Sequence, residues 1–165
     1  MTQDNVQSDG DEILIRAIDS VTDFERSMDV LALFFEDSLP PLERLKQWFE
    51  TACHYGYNQF IAEAGREEAG REEAGREVVG SISIKPVYDP LEAGLVYEIN
   101  HLIVKPDYRR MGIGSALMEK CHSYARHHAA IGVRLLSYNN DEKAQAFYSE
   151  KGYIDVCHVM IKPLH

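Results

Sequence analysis

The fold is decided by residues 95–115, which read LVYEINHLIVKPDYRRMGIGS. The first ten residues form a strongly apolar run, which predicts a buried strand. A polar turn follows, and the chain then begins a helix at Gly112. Glycines at 112 and 114 allow the main chain to approach a ligand closely. Because the free N–H groups of a helix's first turn attract anions, this loop predicts a phosphate site, with Arg109 and Arg110 adding positive charge at its rim.

Apolar periodicity on either side of this stretch predicts alternating strands and helices. The expected order is strand, two helices, three strands, helix, strand, helix, strand. Early hairpins favour antiparallel pairing, whereas the strand–helix–strand unit in the second half implies a parallel pair with a right-handed crossover. We therefore expect an α/β (α+β) fold, in which a single domain has a mixed, mostly antiparallel sheet with helices on both faces.

Two segments are expected to lie outside the packed part of a domain spanning residues 12–165. Residues 1–11 are polar and acidic, which predicts a disordered N-terminal lead. Residues 64–77 contain AGREE twice and then AGRE, a period of five that fits neither strand nor helix. We expect a loop insertion in the hairpin between the second and third predicted strands, because the entropy of loop closure grows only slowly with length.

Composition limits the classes of partner and location. The 165 residues carry a formal net charge of −10, which argues against nucleic acid because phosphate binding needs a basic footprint. No apolar run is long enough to cross a bilayer, which predicts no membrane partner. The three cysteines form no CxxC pair, so free thiols in the cytoplasm are expected.

Two familiar phosphate loops do not fit the glycine run. A Walker loop needs Lys and then Ser or Thr after its last glycine, but Ser115 and Ala116 follow here. A dinucleotide fingerprint needs a third glycine at the position of Leu117 and an acidic residue near the position of Arg134. Because neither of these loops fits, we expect a phosphate-bearing coenzyme that is bound by another kind of loop.

A third kind of phosphate-binding loop fits both the glycine run and the residues around it. Residues 109–114 (RRMGIG), preceded by residues 103–109 (IVKPDYR), resemble the coenzyme A loop of the GNAT (GCN5-related N-acetyltransferase) superfamily. Residues 144–153 (AQAFYSEKGY) resemble that superfamily's second motif, a helix that carries a tyrosine and ends at glycine plus an aromatic residue. The resemblance implies the acyl-CoA N-acyltransferase fold, acetyl-CoA as cosubstrate, and no metal.

The resemblance also implies which residues hold acetyl-CoA. Pantetheine would pair with the main chain at the end of the long strand, and amides of the loop would hold the pyrophosphate. The second motif usually has an asparagine at the position of Asp141, so Asn140 is assigned that contact. The implied coenzyme-binding residues are Leu102, Ile103, Val104, Arg109, Arg110, Met111, Gly112, Ile113, Gly114, Ser115, Asn140 and Tyr148.

Two catalytic roles follow from attack of an amine on a thioester. An ammonium must first lose a proton to a general base. Glu98 resembles the catalytic glutamate of some superfamily members, and its apolar neighbours are expected to raise its pKa by desolvation. His101 is the rival base because histidine titrates near neutral pH. Tyr148 matches the superfamily tyrosine that donates a hydrogen bond to the departing thiolate.

The sequence predicts the acceptor of the acetyl group in less detail than its donor, acetyl-CoA. The resemblance implies that the first two helices and the loop between them shape the acceptor site, where Glu36, Asp37 and Glu43 would suit a cationic amine. We expect a small amine such as a polyamine, aminosugar or aminoglycoside. A peptide or protein amine and a non-catalytic acyl-CoA-binding domain remain alternatives, and the resemblance also raises the expectation of a homodimer.

Overall fold

The computed structural model describes residues 4–8, 11–35, 39–65, 76–89, 93–137 and 141–156. Contacts divide the chain into two units, residues 1–135 and residues 136–165. The elements in chain order are β1 (Asp4–Ser8), β2 (Asp11–Ala17), α1 (Val21–Arg26), α2 (Met28–Phe35), α3 (Leu42–His54), β3 (Asn58–Gly65), β4 (Glu77–Asp89), β5 (Gly94–Val104), a 3-10 turn (Pro106–Tyr108), α4 (Ile113–His127), β6 (Gly132–Leu135) and α5 (Glu142–Glu150).

The first unit is built on a six-stranded sheet whose strands lie side by side in sequence order. Strands β1 to β5 pair antiparallel, and β6 pairs parallel with β5. Helix α4 connects that parallel pair, as the strand–helix–strand pattern predicted. The predicted mixed, mostly antiparallel sheet is confirmed.

One face of the sheet packs against the first three helices. Ile61, Val78 and Ile103 from three neighbouring strands share a core cluster with Phe24 of α1 and Phe49 of α3. The two phenylalanine rings stack with their centroids 4.4 Å apart. Burial of such side chains contributes about 1.5–3 kcal/mol each, so this cluster is a main source of stability for this face.

Helix α4 covers the opposite face of the sheet. The ring of Tyr124 meets Phe60 of β3 and Tyr97 of β5 edge-on, at centroid distances of 5.7 and 5.6 Å. Near the start of the helix, a Cβ added to Gly80 would lie 3.2 Å from Leu117 and 3.3 Å from Ile113. The missing side chain at Gly80 thus lets α4 approach the sheet closely, and helices cover both faces as predicted.

A cluster of ion pairs joins β2, α1 and β3. Arg16 contacts Asp23 at 2.5 Å and Glu63 at 2.8 Å, and Arg26 contacts the same two carboxylates at 3.2 and 2.7 Å. Hydrogen bonding from Arg16 lowers the pKa of Asp23, although burial opposes the shift. Both acidic side chains are at most 10 % exposed, so the arginines are needed to balance their charge.

The expectation of a disordered N-terminal lead is wrong for residues 4–8. These residues form β1, which pairs along its length with β2. Main-chain hydrogen bonds hold a strand at a sheet edge without requiring an apolar face, and a polar edge strand also discourages further pairing. The hydrophobic pattern therefore gave no sign of it.

The repeat lies in the predicted hairpin. Strands β3 and β4 pair antiparallel up to Ala64 opposite Glu77, with a register shift between Ala62 and Glu63. Residues 66–75, most of the AGREE repeat, lie outside the described residues. Residues 153–156, where a last strand was expected to begin, are not in a strand, and the remainder of that expected strand is also outside the described part. Among the helices that are described, none is long and apolar enough to span a membrane.

Candidate active site

A bulge interrupts β5 where the resemblance placed the start of the coenzyme-binding main chain. Asn100 pairs with Ser83 and Ile103 pairs with Ser81, so two residues of β5 oppose one residue of β4. His101, within the bulge, has a φ of +54°, a left-handed conformation that is uncommon for a residue with a side chain. The Ser83 hydroxyl donates to the Asn100 carbonyl at 3.0 Å and thereby fixes the strand before the bulge.

Beyond the bulge, β5 continues past the end of its parallel neighbour. The last parallel pair joins Ile99 to Leu135, and no described strand pairs with that edge of β5 from Asn100 to Val104. This stretch contains the main chain of residues 102–104, predicted to pair with pantetheine. An open strand edge of this kind offers N–H and C=O groups to an extended ligand.

The glycine loop has a main chain suited to an anion. Arg110 and Gly112 both have positive φ, at +65° and +81°. Left-handed residues in such a loop can turn neighbouring N–H groups towards one side, as in an anion-binding nest. No side chain caps α4, its first turn contains no acidic residue, and a Cβ added to Gly112 would meet nothing within 4 Å. The first-turn N–H groups are therefore available to a phosphate.

The turn before this loop is braced against the sheet. The Nε of Arg109 donates to the Val104 carbonyl at 2.9 Å, so this side chain binds the end of β5. Lys105 contacts Glu77 at 2.7 Å, and the Tyr108 hydroxyl lies 3.4 Å from the same carboxylate. These contacts hold the loop at the end of the open strand edge.

Glu98 lies in β5 on the face opposite α4, because its neighbour Tyr97 packs on that helix. The residue is 6 % exposed. Lys85 of β4 contacts one carboxylate oxygen at 2.9 Å, and Arg134 of β6 contacts the other at 2.9 Å. Desolvation would raise the pKa of Glu98, but hydrogen bonds and charge from Lys85 and Arg134 outweigh it and lower that pKa. The expectation of a raised pKa is wrong because the two cations were not foreseen.

His101 shares part of this environment. Burial lowers the pKa of His101, and the positive charge of Lys85 lowers it further. Strict alternation would put His101 and Glu98 on opposite faces, but the bulge breaks the alternation between them. Lys85 therefore acts electrostatically on both candidate bases, and the imidazole is neutral at pH 7.

Tyr148 belongs to the second unit. It lies on α5, which Asp141 caps by accepting a hydrogen bond from the Ala144 N–H at 3.0 Å. Its ring meets that of Tyr153 at a centroid distance of 6.0 Å. Burial and the charge of Asp141 raise the pKa of Tyr148, so the phenol keeps its proton at neutral pH. Asn140, assigned to the coenzyme, lies outside the described residues.

Lys85 and Arg134 are functional candidates that sequence reasoning missed. They are 13 and 36 positions from Glu98 and reach it only through the strand register, which places all three side by side. In the acidic segment expected to receive a cationic amine, Glu36 and Asp37 lie outside the described residues. Glu43 contacts Lys46 at 3.0 Å, so part of its charge is balanced. Within the described ranges, no group of three His, Cys, Asp or Glu residues could hold a metal.

Known proteins share both the motifs and the architecture. The uncharacterized N-acetyltransferase YhfO of Bacillus subtilis is 29 % identical over 75 residues, which cover 46 % of this chain and 50 % of that protein. The match thus spans about half the length of this curated relative. An acetyltransferase from Trypanosoma brucei superposes with a TM-score of 0.74 at 20 % identity, over 92 % of this chain and 99 % of its own.

A second solved structure, glucosamine-6-phosphate N-acetyltransferase from Arabidopsis thaliana, superposes with a TM-score of 0.72 at 17 % identity, over 93 % of this chain and 99 % of its own. At such identities the two structures establish the fold alone. The pattern of the family described as "Acetyltransferase (GNAT) family" matches residues 27–153, which include the bulged strand, the glycine loop and α5. The chain belongs to the GNAT acetyltransferase family.

Proposed function

We propose that this protein transfers the acetyl group of acetyl-CoA to a primary amine of a small molecule. The observation that carries the proposal is the open edge of β5 between Ile99 and the glycine loop, with Glu98 and His101 next to its start. When bound, acetyl-CoA supplies an acetyl thioester. A strand edge for the pantetheine amides, followed directly by a loop of uncapped N–H groups for the pyrophosphate, suits the shape and charge of this cosubstrate.

The main chain performs most of the proposed coenzyme binding. Residues 102–104 would pair with pantetheine, and the N–H groups of residues 110–115 would hold the pyrophosphate. The Nε of Arg109 already donates a hydrogen bond to the Val104 carbonyl, so one role of this side chain is to fix the loop. Asn140 and Tyr148 complete the proposed set from the second half of the chain.

We assign proton removal to His101 in preference to Glu98. A base must be unprotonated and must gain a proton readily at the working pH. The imidazole of His101 is neutral at pH 7, whereas two cations stabilise the Glu98 carboxylate and make it a weaker base. Glu98 is then a positioning residue that joins β5 to Lys85 of β4 and Arg134 of β6. The pH–rate profiles of His101 and Glu98 variants distinguish this assignment from the prediction that Glu98 is the base.

Tyr148 is the proposed proton donor to the departing sulfur. Its raised pKa keeps the phenol protonated, which is the state that a donor needs. Its position on α5 matches the tyrosine of the second motif. The cytoplasmic location and a homodimer stay predictions; Cys53 and Cys121 are free thiols, one exposed and one buried, which suits a reducing compartment.

Two measurements on the full chain test the proposal. Isothermal titration should detect acetyl-CoA binding, and S-acetylpantetheine, which lacks the pyrophosphate and the nucleotide, should bind far more weakly. A turnover screen with acetyl-CoA should find acetylation among small amines and little among peptides. Absence of acetyl-CoA binding would overturn the donor assignment. Acetylation confined to peptides would replace the small-molecule acceptor with a peptide amine, and binding without any transfer would indicate a regulatory domain.

A further inference from the structure

A glutamine side chain is buried beside the bulge of β5. Gln59 lies in β3 and is completely buried. Its Nε2 group donates to the Ser27 hydroxyl at 3.0 Å and to the Ser81 hydroxyl at 2.8 Å. Its Oε1 atom accepts from the Tyr57 hydroxyl at 3.3 Å. Both N–H donors of the amide and its carbonyl oxygen therefore have partners within the protein.

Two serines of β4 connect this amide to the bulge. Ser83 pairs with Asn100 before the bulge, and Ser81 forms the next pair after it. The Ser83 hydroxyl donates to the Asn100 carbonyl at 3.0 Å. Ser83 also forms a hydrogen bond with Tyr57, which partly offsets the rise that burial causes in the pKa of that phenol. The amide thus reaches one side of the bulge directly through Ser81 and the other side indirectly through Tyr57 and Ser83.

Ser27 connects the same amide to the helices. It is the single residue between α1 and α2. Its N–H donates to the Asp23 carbonyl at 3.1 Å in the last turn of α1, and its carbonyl accepts from the Leu31 N–H at 3.1 Å in the first turn of α2. Helix α2 packs against β4 and β5. Gln59 therefore joins the corner between two helices to the strands that form the bulge.

An amide supplies direction at this position, which an apolar side chain would not. Removing an amide from water costs free energy that its hydrogen bonds offset, so a methionine of similar volume would fill the same space without that cost. Each hydrogen bond, however, requires a defined distance and angle. A buried network in which every group has a partner therefore restricts the joined elements to one arrangement.

We propose that Gln59 is a positioning residue for acetyl transfer, which holds α2 and the bulged segment of β5 in one relative arrangement. This inference rests on the proposed function, because the bulge contains His101 and precedes the main chain assigned to pantetheine. The hydrogen bonds of Gln59 lead to the bulge and to α2, whereas the glycine loop begins beyond the end of β5. Loss of the amide should therefore change the rate of transfer more than the affinity for acetyl-CoA.

The kinetic test uses Gln59→Met, which keeps the approximate length and volume of the side chain but removes its hydrogen bonds. We expect kcat to fall about 10- to 100-fold, because small displacements of reacting groups have large effects on rate. The assay uses acetyl-CoA and the small amine that the turnover screen shows to react fastest. The Kd for acetyl-CoA from isothermal titration should change less than about threefold. Tyr57→Phe removes one hydroxyl from the network and should lower kcat by a smaller factor.

Ile61→Val is the matched control. Ile61 is also completely buried and lies two residues from Gln59, on the same face of β3. Loss of one methyl group should lower Tm by about 1–6 °C. Because this change leaves the hydrogen bonds of Gln59 in place, kcat should not change.

Hydrogen exchange followed by mass spectrometry gives a readout that does not depend on activity. In Gln59→Met, residues 28–35 of α2 and residues 95–104 of β5 should exchange about tenfold faster than in the wild type, since both segments lose a contact that holds them. Residues 11–17 of β2 should exchange at the wild-type rate. In Ile61→Val, no selective increase should occur in α2 or β5.

Three results would overturn the inference while leaving the proposed acetyl transfer intact. The first is wild-type kcat in Gln59→Met, with folding verified by circular dichroism. The second is an equal fall in kcat in Gln59→Met and Ile61→Val, which would indicate general loosening of the core. The third is exchange that rises equally in β2, α2 and β5. If Gln59→Met does not fold, wild-type kcat and exchange in Tyr57→Phe would also overturn it.

A wild-type protein that acetylates no amine would instead contradict the function on which the inference rests. The exchange comparison would then still decide whether Gln59 holds α2 and the bulge together, so the two failures are distinguishable.

Discussion

Replacing Gly112 by alanine separates backbone strain from coenzyme binding. Gly112 has a φ of +81°, and an added Cβ would meet no atom of the chain within 4 Å. The left-handed conformation should therefore account for the whole loss of stability, about 1–2 kcal/mol. For a chain of this size, that corresponds to a fall in Tm of about 2–8 °C. When acetyl-CoA binds, the added methyl group would occupy the space proposed for the pyrophosphate.

Gly152 provides a matched control. It has a φ of +85° and also has open space where a Cβ would lie, so Gly152→Ala should lower Tm by a similar amount. Only Gly112→Ala should weaken acetyl-CoA binding, by about 10- to 100-fold if one charge-assisted hydrogen bond is lost. Gly112→Asp should weaken it further, because the carboxylate adds charge repulsion to the steric effect.

The assays are thermal unfolding for stability and isothermal titration with acetyl-CoA for affinity. The reasoning is refuted if Gly112→Ala and Gly152→Ala weaken binding equally, since the loss would then come from general destabilisation. It is also refuted if Gly112→Asp binds as tightly as the wild type. Either result would move the phosphate site away from the glycine loop.

Three further predictions concern the base, the acid and the ion-pair cluster. Since His101 must be neutral, kcat/KM should rise with pH through a pKa below 6.5; His101→Asn should remove this acid limb from the pH–rate profile, whereas Glu98→Gln should retain it. Tyr148→Phe should lower kcat about 10- to 100-fold with little change in the KM for acetyl-CoA, and unchanged turnover in a steady-state assay would contradict the donor role. Asp23→Asn should cost about 2 kcal/mol in urea unfolding, because it weakens two arginine contacts in a partly buried cluster. The lowered pKa of Asp23 means that its contribution is complete above the unfolded pKa of about 3.9 and is lost as pH falls through the folded pKa, so the mutant and wild type should converge in acid.

Features that depend on one contiguous segment of the chain could be predicted from the sequence. The apolar run of β5, the glycines at the start of α4 and the cap at Asp141 each depend on neighbours within a few residues. The antiparallel hairpins and the parallel pair followed from the same local patterns together with the crossover rule. The sequence was least informative at β1, where main-chain pairing at an edge requires no hydrophobic pattern.

The chemistry at Glu98 could not be predicted in the same way. Its apolar sequence neighbours suggested desolvation, and the carboxylate is indeed buried. The direction of its pKa shift depends on Lys85 and Arg134, whose distance along the chain hides their contact. Strand alternation also fails to predict the face of the sheet on which His101 lies. One extra residue in the bulge changes the alternation of side chains between Glu98 and His101.

Net charge therefore says little about the sign of this site. The acidic helix segment suggested a cationic acceptor, yet the charged groups that contact Glu98 are Lys85 of β4 and Arg134 of β6. Interactions between exposed charges are screened beyond about 8 Å at physiological ionic strength, so side chains elsewhere on the surface act weakly on a bound acceptor. Lys85 and Arg134 act at contact distance and are held in place by a buried carboxylate. The overall acidity should accordingly affect mainly the rate at which charged molecules approach.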